Sequence, residues 1–312
     1  YADLAIARYE EAYNAQIQKS TGKAEDLEKQ YYPCINVAFM HFMFHHFDEA
    51  KDYAQKAREI CLQLRQKGKD SYWIEATEAE ASLILGQIEA ATDSYESAFN
   101  RNDAQPSSIA STRKQALQIA GMFDDDSIRA RMEKAFPLLG IVACSGHVID
   151  NPGRAKRFPP EAESIAKEKI EEALERLGAR CGYSSAACGT DILFLEAMAE
   201  RGGETHVFLP FAKEEFIETS VRRAGGNWVA RFEKVLDHAT SVHYVTNEGY
   251  YGDDSLFSFC NEVMLGFAAM RGRGLDEDPN LLVIWDGTPG STGGTGELVE
   301  AWREEFNEPE II

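Results

Sequence analysis

The residues in this chain whose types and spacing best suit chemistry form a glycine-rich loop. An apolar run at residues 281–285 is followed by Asp286, and the loop closes with Gly-Gly-Thr-Gly at residues 293–296, before helix-like residues begin. Glycines let backbone N–H groups turn toward an anion, and the next helix adds unpaired N–H groups and the positive end of its dipole. The loop is therefore a candidate phosphate-binding loop. Many glycine-rich turns bind nothing, so its function depends on partners elsewhere in the chain.

Two further loops carry small and hydroxylated residues. Each follows directly after an apolar run, the first run at residues 138–144 and the second at residues 179–184. Such loops, with their hydroxyls and helix N-termini, suit phosphate and ribose better than an apolar ligand. We expect the three loops to form one ligand site, with Arg154 and Arg157 as further sources of phosphate-binding cations. The candidate ligand-binding residues are Ser145, Gly146, His147, Arg157, Gly189, Thr190, Asp191, Asp286, Gly293, Gly294, Thr295 and Gly296.

The charged candidates also have structural interpretations. Asp191 stands at a helix start, where an N-cap is the commoner role of an aspartate. Asp286 could bind ribose hydroxyls, but bracing its own loop through an Asx turn is slightly favoured. His147 could donate to phosphate or act as an acid, and a histidine satisfied within its loop is equally consistent with the sequence. Arg157 could equally be a solvated loop residue.

The elements that position these loops alternate between strands and helices. Ligands of parallel sheets bind outside the carboxyl ends of the strands, which is where all three loops are expected. The alternation predicts a Rossmann-like five-stranded parallel sheet with flanking helices. Apolar runs predict its strands at residues 138–144, 179–184, 206–209, 241–245 and 281–285.

Residues 1–136 show helical periodicity almost throughout and no strand signal. Shifting the chain by 41 residues superposes residues 42–45 on residues 83–86, and small residues after them coincide as well. The repeat predicts stacked helical hairpins similar to a tetratricopeptide array, although the usual period is ~34 residues. We expect a helical domain at residues 1–136 and a nucleotide-binding domain at residues 137–312.

Composition argues against several partners and sites. A formal charge of −20 opposes broad contact with nucleic acid. Apolar runs are far shorter than the roughly 20 residues that span a bilayer, and no leader is evident, so we expect no membrane contact and a cytoplasmic location. The six cysteines lack a CxxC pair and predict buried reduced thiols. The histidines at positions 41, 45 and 46 lack a nearby carboxylate or cysteine signature, so no metal site is predicted.

The three loops together, particularly Ala-Cys-Gly-Thr-Asp at residues 187–191, resemble the SLOG superfamily of Rossmann-like nucleotide-binding domains. That superfamily includes the Lonely-guy phosphoribohydrolases and the DNA-processing protein A family. The resemblance covers about residues 138–306 and lies in the combination of motifs rather than in any single one. It implies a nucleotide-binding cleft.

Enzymatic Lonely-guy proteins carry the motif Gly-Gly-x-Gly-Thr-x-x-Glu. The resemblance puts Glu300 at the final catalytic glutamate, but Glu297 stands where the motif has threonine. Those enzymes also carry an Arg-Lys pair on the preceding helix, where this chain has Asn261 and Glu262. Glu262 is a second catalytic candidate if it faces the cleft, because a carboxylate can stabilise a positive ribosyl charge. As an exposed helix residue it would have no such role. The departures from the motif favour a sensor over an enzyme.

Residues 31–36 and 70–77 resemble the helical TRAF-binding region of apoptosis signal-regulating kinases and its bacterial relatives. The resemblance covers roughly residues 1–135 and implies a protein-interaction scaffold without catalysis in that region. For Tyr32, Ile35 and Trp73 taken singly, a position in the core between hairpins is favoured over a partner contact.

The leading hypothesis is a sensor and signalling scaffold, for example in bacterial conflict or stress signalling. Its SLOG-like cleft would bind a nucleotide-derived or NAD-derived ligand, and its helical array would pass occupancy to a protein partner or effector. The alternative is an N-glycosyl hydrolase of nucleotides or NAD that acts through Glu300 or Glu262. A third hypothesis is a purely architectural Rossmann-like half. None of them requires a cofactor. Because the helical pattern already begins at Tyr1, we expect the chain to be part of a longer protein.

Overall fold

The computed structural model describes residues 2–21, 23–137, 139–151, 157–288 and 292–312. The chain divides into two compact units, Tyr1–Pro137 and Leu138–Ile312. In its described part the first unit is helical, and the second is built on a parallel sheet. Arg154, which the sequence suggests as a phosphate-binding cation, lies outside the described residues.

The first unit is an array of helices that are joined by short turns and that pack on their neighbours in the chain. Helix α3 packs on α4 and α5 packs on α6, which makes two hairpins, and α4 packs on α5 between them. The buried faces repeat at helical spacing, as the sequence predicts. The helices are α1 Ala2–Gln18, α2 Ala24–Glu28, α3 Tyr31–Met43, α4 Phe47–Gln66, α5 Tyr72–Ile84, α6 Ile88–Phe99, α7 Pro106–Ala120 and α8 Asp126–Ala135.

The 41-residue repeat is confirmed in the helices and in the turn that joins them. Helix α5 begins and ends 41 residues after α3, at 72 against 31 and at 84 against 43. His45 closes the first turn with a φ of 63°, and Gly86 closes the second with a φ of 77°. In both turns the next N–H donates over 2.9 Å to the carbonyl five residues earlier. The same left-handed helix ending is therefore used twice.

Two aromatic residues of the repeat are exposed. Ile35 is buried as expected, but Tyr32 is 57% exposed and Trp73 is 42% exposed, so their predicted place in the core is wrong. Helix α3 buries Cys34, Ile35 and Ala38, and at 100° per residue Tyr32 falls outside that face. Because Trp73 follows Tyr32 by 41 residues, the array presents an exposed ring at the same place in consecutive hairpins.

The second unit is a parallel sheet in the order β4-β3-β2-β1-β5-β6. All five neighbouring pairs run parallel, which confirms the prediction from alternating strands and helices. The sheet has one strand more than the five predicted, since β6 contributes only two residues and periodicity does not reveal so short a strand. The strands are β1 Gly140–Gly146, β2 Ala179–Ser184, β3 Glu204–Leu209, β4 Ser241–Tyr244, β5 Asn280–Ile284 and β6 Glu310–Ile311.

Helices cover both faces of the sheet. On one face α9, α10 and α12 pack over alternate strand residues such as Val142, Cys144 and Val207. On the other, α13 packs against β1, β2 and β3. Burial on both faces explains why the strands read as continuous apolar runs. The helices are α9 Glu163–Arg176, α10 Thr190–Glu200, α11 Lys213–Phe216, α12 Trp228–His238, α13 Ser255–Leu275 and α14 Thr295–Glu305.

The sequence pattern assigned no element to residues 211–240, where the structure has the eleven-residue helix α12 and, before it, the least regular part of the unit. Helix α11 continues directly into a π-helical turn, Ile217–Val221, and then into a 3-10 turn, Arg222–Ala224. Pieces of three to five residues are too short for helical periodicity to be read from the sequence. A π-helical turn is rare, and it frequently occurs at functional sites.

Within the described ranges, no helix combines the length and the apolar character that a bilayer span requires.

Candidate functional site

A cavity of about 530 Å³ lies at the carboxyl ends of the three central strands of the second unit. Ser145 and Gly146 end β1, Ser185 follows β2 and Pro210 follows β3, and all four line the cavity. Helices α10, α13 and α14 and the neighbouring loops supply further walls. The last wall is the π-helical segment, defined here as residues 213–224, which comprises α11, the π-helical turn and the 3-10 turn. The cavity is therefore where ligands of parallel sheets bind.

Half of the predicted ligand-binding residues line this cavity. Those that do are Ser145, Gly146, Asp191, Gly293, Gly294 and Thr295. Those that do not are His147, Arg157, Gly189, Thr190, Asp286 and Gly296. All three predicted loops thus reach the site, but not with all of their residues.

The first two loops use their small residues to pack on each other. A Cβ on Gly146 would lie 2.5 Å from Oγ1 of Thr190, so only glycine allows β1 to come this close to helix α10. Thr190 turns away from the cavity, because its hydroxyl donates to the His147 carbonyl over 3.0 Å. Its backbone N–H donates to the same carbonyl over 3.3 Å. These groups hold the two loops together and are not directed at a ligand.

The third loop is held against helix α13 at Gly293. Its φ is 73°, and a Cβ there would lie 2.3 Å from the Cβ of Phe257, so both the backbone angle and the close approach require glycine. The Gly293 carbonyl accepts a hydrogen bond of 3.0 Å from Nδ2 of Asn261. Asn261 therefore fastens the loop to the helix.

The Gly293 N–H is occupied as well. It donates over 2.9 Å to Oε2 of Glu297, the third residue of α14. In a capping box a glutamate at this position accepts from the N–H of the N-cap residue, whereas here it accepts from the residue before the N-cap, Gly294. The predicted phosphate-binding loop thus has a carboxylate of its own on one of its donors.

Asp191 is a buried carboxylate in the cavity wall. It is 6% exposed, and the N–H of Ala187 donates to its Oδ2 over 3.2 Å. Burial raises the pKa of Asp191 to about 7, against the lowering effect of the Ala187 N–H. A carboxyl group with such a pKa accepts or donates protons near neutral pH.

The thiols around Asp191 are poor nucleophiles. Burial raises the pKa of Cys188 to about 11 and that of Cys260 to about 12. Cys144 is buried in β1 beside them, and burial raises its pKa as well. All six cysteines of the chain are free and buried, which confirms the prediction of buried reduced thiols.

His147, Arg157 and Asp286 meet in a separate cluster. Nε2 of His147 accepts from the Asp286 N–H over 3.2 Å and lies 3.3 Å from its Oδ1, and Nε of Arg157 lies 3.7 Å from Oδ2. Asp286 accepts from both the N–H and the hydroxyl of Thr288, which is an Asx turn. These hydrogen bonds, with His147, lower the pKa of Asp286 to about 2. The cluster braces the loop after β5.

The two predicted catalytic carboxylates lie outside the cavity. Glu300 is exposed on α14 and Glu262 is exposed on α13, and neither lines the cavity. Neither carboxylate is therefore placed beside a ligand that occupies the cavity. Asp191, in contrast, is buried in the cavity wall.

Arg223 is a cavity residue that the sequence analysis did not select. It stands in the 3-10 turn after the π-helical turn, and its Nη1 donates to the Thr219 carbonyl over 3.3 Å. Among the described residues that line the cavity, it is the one arginine or lysine. The irregular backbone that aims it inward has no sequence signature, so only the structure identifies it.

Aromatic rings form another part of the wall. Tyr250 and Phe257 line the cavity with Phe216. The Tyr250 ring lies 5.1 Å from that of Phe211 and 6.0 Å from that of Phe257. The Tyr250 hydroxyl donates to Asp254, which also lines the cavity. Such a wall offers a face for stacking a planar group.

The remaining lining residues are mostly small or hydroxylated. They are Val148, Ala187, Thr219, Ser220, Cys260 and Thr292. Together with Ser145 in β1 and Ser185 after β2, they offer donors and acceptors to a polyhydroxylated ligand. One cation, two carboxylates, several hydroxyls and an aromatic face are thus brought to one cavity.

Comparisons with known proteins give little beyond this geometry. No family model and no curated protein matches the chain. It is similar to the X-ray structure of DNA processing protein A from Streptococcus pneumoniae, with 13% identity and a TM-score of 0.29, over 78% of this chain and 95% of that chain. It is also similar to a mutant O-GlcNAc transferase of Thermobaculum terrenum, with 10% identity and a TM-score of 0.20, over 94% of this chain and 52% of that chain. At these values neither likeness decides the function.

Proposed function

We propose that the second unit binds a nucleotide-derived small molecule in its cavity, and that the chain acts as a sensor and signalling scaffold. A nucleotide combines an anionic phosphate, a polyhydroxylated sugar and a planar base. The cavity offers Arg223 for the first, serine and threonine hydroxyls for the second and the Tyr250 ring for the third. The meeting of these three chemistries at the carboxyl ends of the strands is the observation that carries the proposal.

The first unit supports the second half of the proposal. Tyr32 and Trp73 expose aromatic rings at matching places in consecutive hairpins. Exposed aromatic residues are enriched at protein interfaces, where they supply large contact area at low entropic cost. We therefore assign the helical array to a protein partner or effector, in line with the TRAF-binding-like resemblance of its sequence.

Calorimetric titration of the chain with NAD, ADP-ribose, cyclic ADP-ribose isomers and cyclic oligonucleotides tests ligand binding. We expect at least one of them to bind. Tyr250→Ala removes the stacking face, which is worth about 1–3 kcal/mol for a base, so affinity falls by about five-fold to a hundredfold. Tyr251→Ala is the matched control, because Tyr251 is the adjacent tyrosine, 81% exposed and outside the cavity wall.

Failure of every ligand in this panel to bind would refute the proposal. So would equal affinity losses in the Tyr250 and Tyr251 variants, because binding would then not involve the cavity. A stable fold of both variants is checked by circular dichroism before titration.

A second candidate is N-glycosidic bond hydrolysis, and Asp191 is the observation that favours it. A buried carboxyl group whose pKa is about 7 can act as a general acid or base at neutral pH. The geometry predicts that Asp191→Asn abolishes release of free base or nicotinamide, whereas the sequence motif predicts the same for Glu300→Gln or Glu262→Gln. Chromatography of long incubations at high protein concentration separates these outcomes. Absence of product from the unaltered chain excludes hydrolysis of the substrates offered.

A further inference from the structure

We propose that the phosphate of the ligand binds at Arg223 and Thr219 on the π-helical segment, and that Glu297 keeps anions away from the glycine-rich loop. The inference rests on the proposed nucleotide binding and specifies the direction in which the ligand lies. From the sequence alone, the phosphate is expected at the glycine-rich loop; here it lies at the π-helical segment instead.

Arg223 has the hydrogen-bonding capacity that a phosphate requires. A guanidinium carries five N–H donors, and one bond, to the Thr219 carbonyl, is found among the described residues. No described carboxylate lies within ion-pair distance of Arg223, whereas its neighbour Arg222 pairs with Glu218 over 2.8 Å. In a chain with a net charge of −20, most arginines have carboxylates near them. A half-buried arginine without a carboxylate partner therefore keeps its charge and its donors for a ligand phosphate.

The segment that carries Arg223 is braced against the second loop. The Ser220 carbonyl accepts a hydrogen bond of 3.0 Å from the Cys188 N–H. The Thr219 hydroxyl donates to the Glu215 carbonyl over 2.9 Å and lies 3.3 Å from Oγ of Ser220. Both residues line the cavity with Arg223. The cation and two hydroxyls are thus held together on a backbone that is already ordered.

The glycine-rich loop lacks this capacity at Gly293. Its N–H donates to Glu297 and its carbonyl accepts from Asn261, so both backbone groups have partners within the chain. A phosphate that approached this N–H would meet the carboxylate oxygen that already accepts from it. Like charges at hydrogen-bond distance repel, although solvent screens part of this repulsion because Glu297 is exposed.

Arg223 at one side of the cavity and Glu297 at the glycine-rich loop together fix which end of the ligand carries the negative charge. The phosphate lies toward Arg223, and the part of the ligand near the glycine-rich loop is uncharged or cationic. The Tyr250 and Phe257 rings line the same cavity and provide a stacking face for the base. The ligand class is therefore a nucleoside phosphate whose anionic end faces the π-helical segment.

Calorimetric titrations with adenosine, guanosine, their 5′-monophosphates and ADP-ribose test this assignment. We expect Arg223→Gln to weaken binding of the phosphate-bearing ligands by about tenfold or more, because charge-assisted hydrogen bonds are lost. Nucleoside binding should stay within about twofold, since no phosphate contact is involved. The control is Arg222→Gln, which makes the same charge change one residue away, on an exposed side chain outside the cavity wall.

Glu297→Gln tests the second half of the inference. It removes the repulsive charge and keeps an oxygen that can accept the Gly293 N–H. We expect tighter binding of the monophosphates by about threefold or more, without an equal gain for the nucleosides. Glu304→Gln makes the same charge change on an exposed residue of the same helix and should leave every affinity unchanged.

The outcomes separate the inference from the proposed function. If the monophosphates bind and Arg223→Gln leaves their affinity unchanged, the inference is wrong and nucleotide binding stands. Gly294→Asp identifies the alternative, because aspartate is a favoured helix N-cap there and the variant should fold. Loss of phosphate-dependent affinity in that variant alone would place the phosphate at the loop. If no nucleotide in either panel binds, both proposals fail together.

Discussion

At the scale of single residues, two aspartates with similar sequence surroundings have different environments in the structure. Asp191 and Asp286 both follow strands near glycines, yet Asp191 is buried in the cavity wall and Asp286 is an exposed brace for its own loop. The pKa of Asp191 rises to about 7 and that of Asp286 falls to about 2. The difference comes from burial in one case and from hydrogen bonds to the charged form in the other.

The raised pKa of Asp191 predicts a dependence of stability on pH. Because the folded-state pKa of Asp191 lies above the unfolded value, its contribution to stability is fully present below about pH 4 and is lost as the pH rises to about 7. Asp191→Asn keeps an acceptor for the Ala187 N–H and carries no charge. Urea unfolding should show the variant more stable by about 2–4 kcal/mol at pH 8, with a smaller difference at pH 5.5. A difference that does not change with pH would contradict the assignment.

At this scale half of the predicted ligand-binding residues line the cavity, and the reason that the others do not is physical. Ser145, Gly146 and Asp191 follow apolar runs, and parallel sheets bring such positions to one edge. Whether a loop residue faces the cavity or a neighbouring loop depends on local packing, as Thr190 shows by bonding to the His147 carbonyl. The position of Arg223 in the cavity wall depends on the π-helical turn before it, and no residue pattern predicts such a turn.

At the scale of elements, most long periodic segments were predicted, with the exception of α12, and the shortest elements were not. The 41-residue repeat correctly predicted two matching hairpins, down to the turn at His45 and Gly86. The two-residue strand β6 and the pieces between residues 213 and 224 escaped, because periodicity needs several turns of chain to be read. Exposure of Tyr32 and Trp73 also escaped, since apolar residues are not always buried.

The repeated turn predicts the effect of a glycine substitution. Gly86 has a φ of 77° and open space around its Cα, so Gly86→Ala should destabilise the first unit by about 1 kcal/mol through backbone strain alone. Gly266 also has open space, but it lies inside helix α13 with an ordinary φ. Gly266→Ala should therefore stabilise the chain by about 0.5–1 kcal/mol. Thermal unfolding compares the two, and shifts in the same direction would count against this account.

At the scale of the whole molecule, charge and architecture restrict the kind of ligand. The net charge of −20 opposes polyanions in general, so an anion needs a specific cation such as Arg223 to enter. A sensor further requires that occupancy of the second unit changes the first unit, where Tyr32 and Trp73 are exposed. If the ligand bound to the second unit and the first unit did not change, the chain would bind the ligand without transmitting a signal.

Hydrogen-exchange mass spectrometry of the full chain, with and without the tightest ligand of the panel, tests the central claim most directly. We predict slower exchange in three of the segments that line the cavity, residues 145–150, 213–224 and 250–261, together with altered exchange in helices of the first unit. Tyr250→Ala should remove both changes, and Tyr251→Ala should keep them. Protection that is absent from the cavity segments, or that is confined to them while exchange in the first unit stays unchanged, would contradict the account.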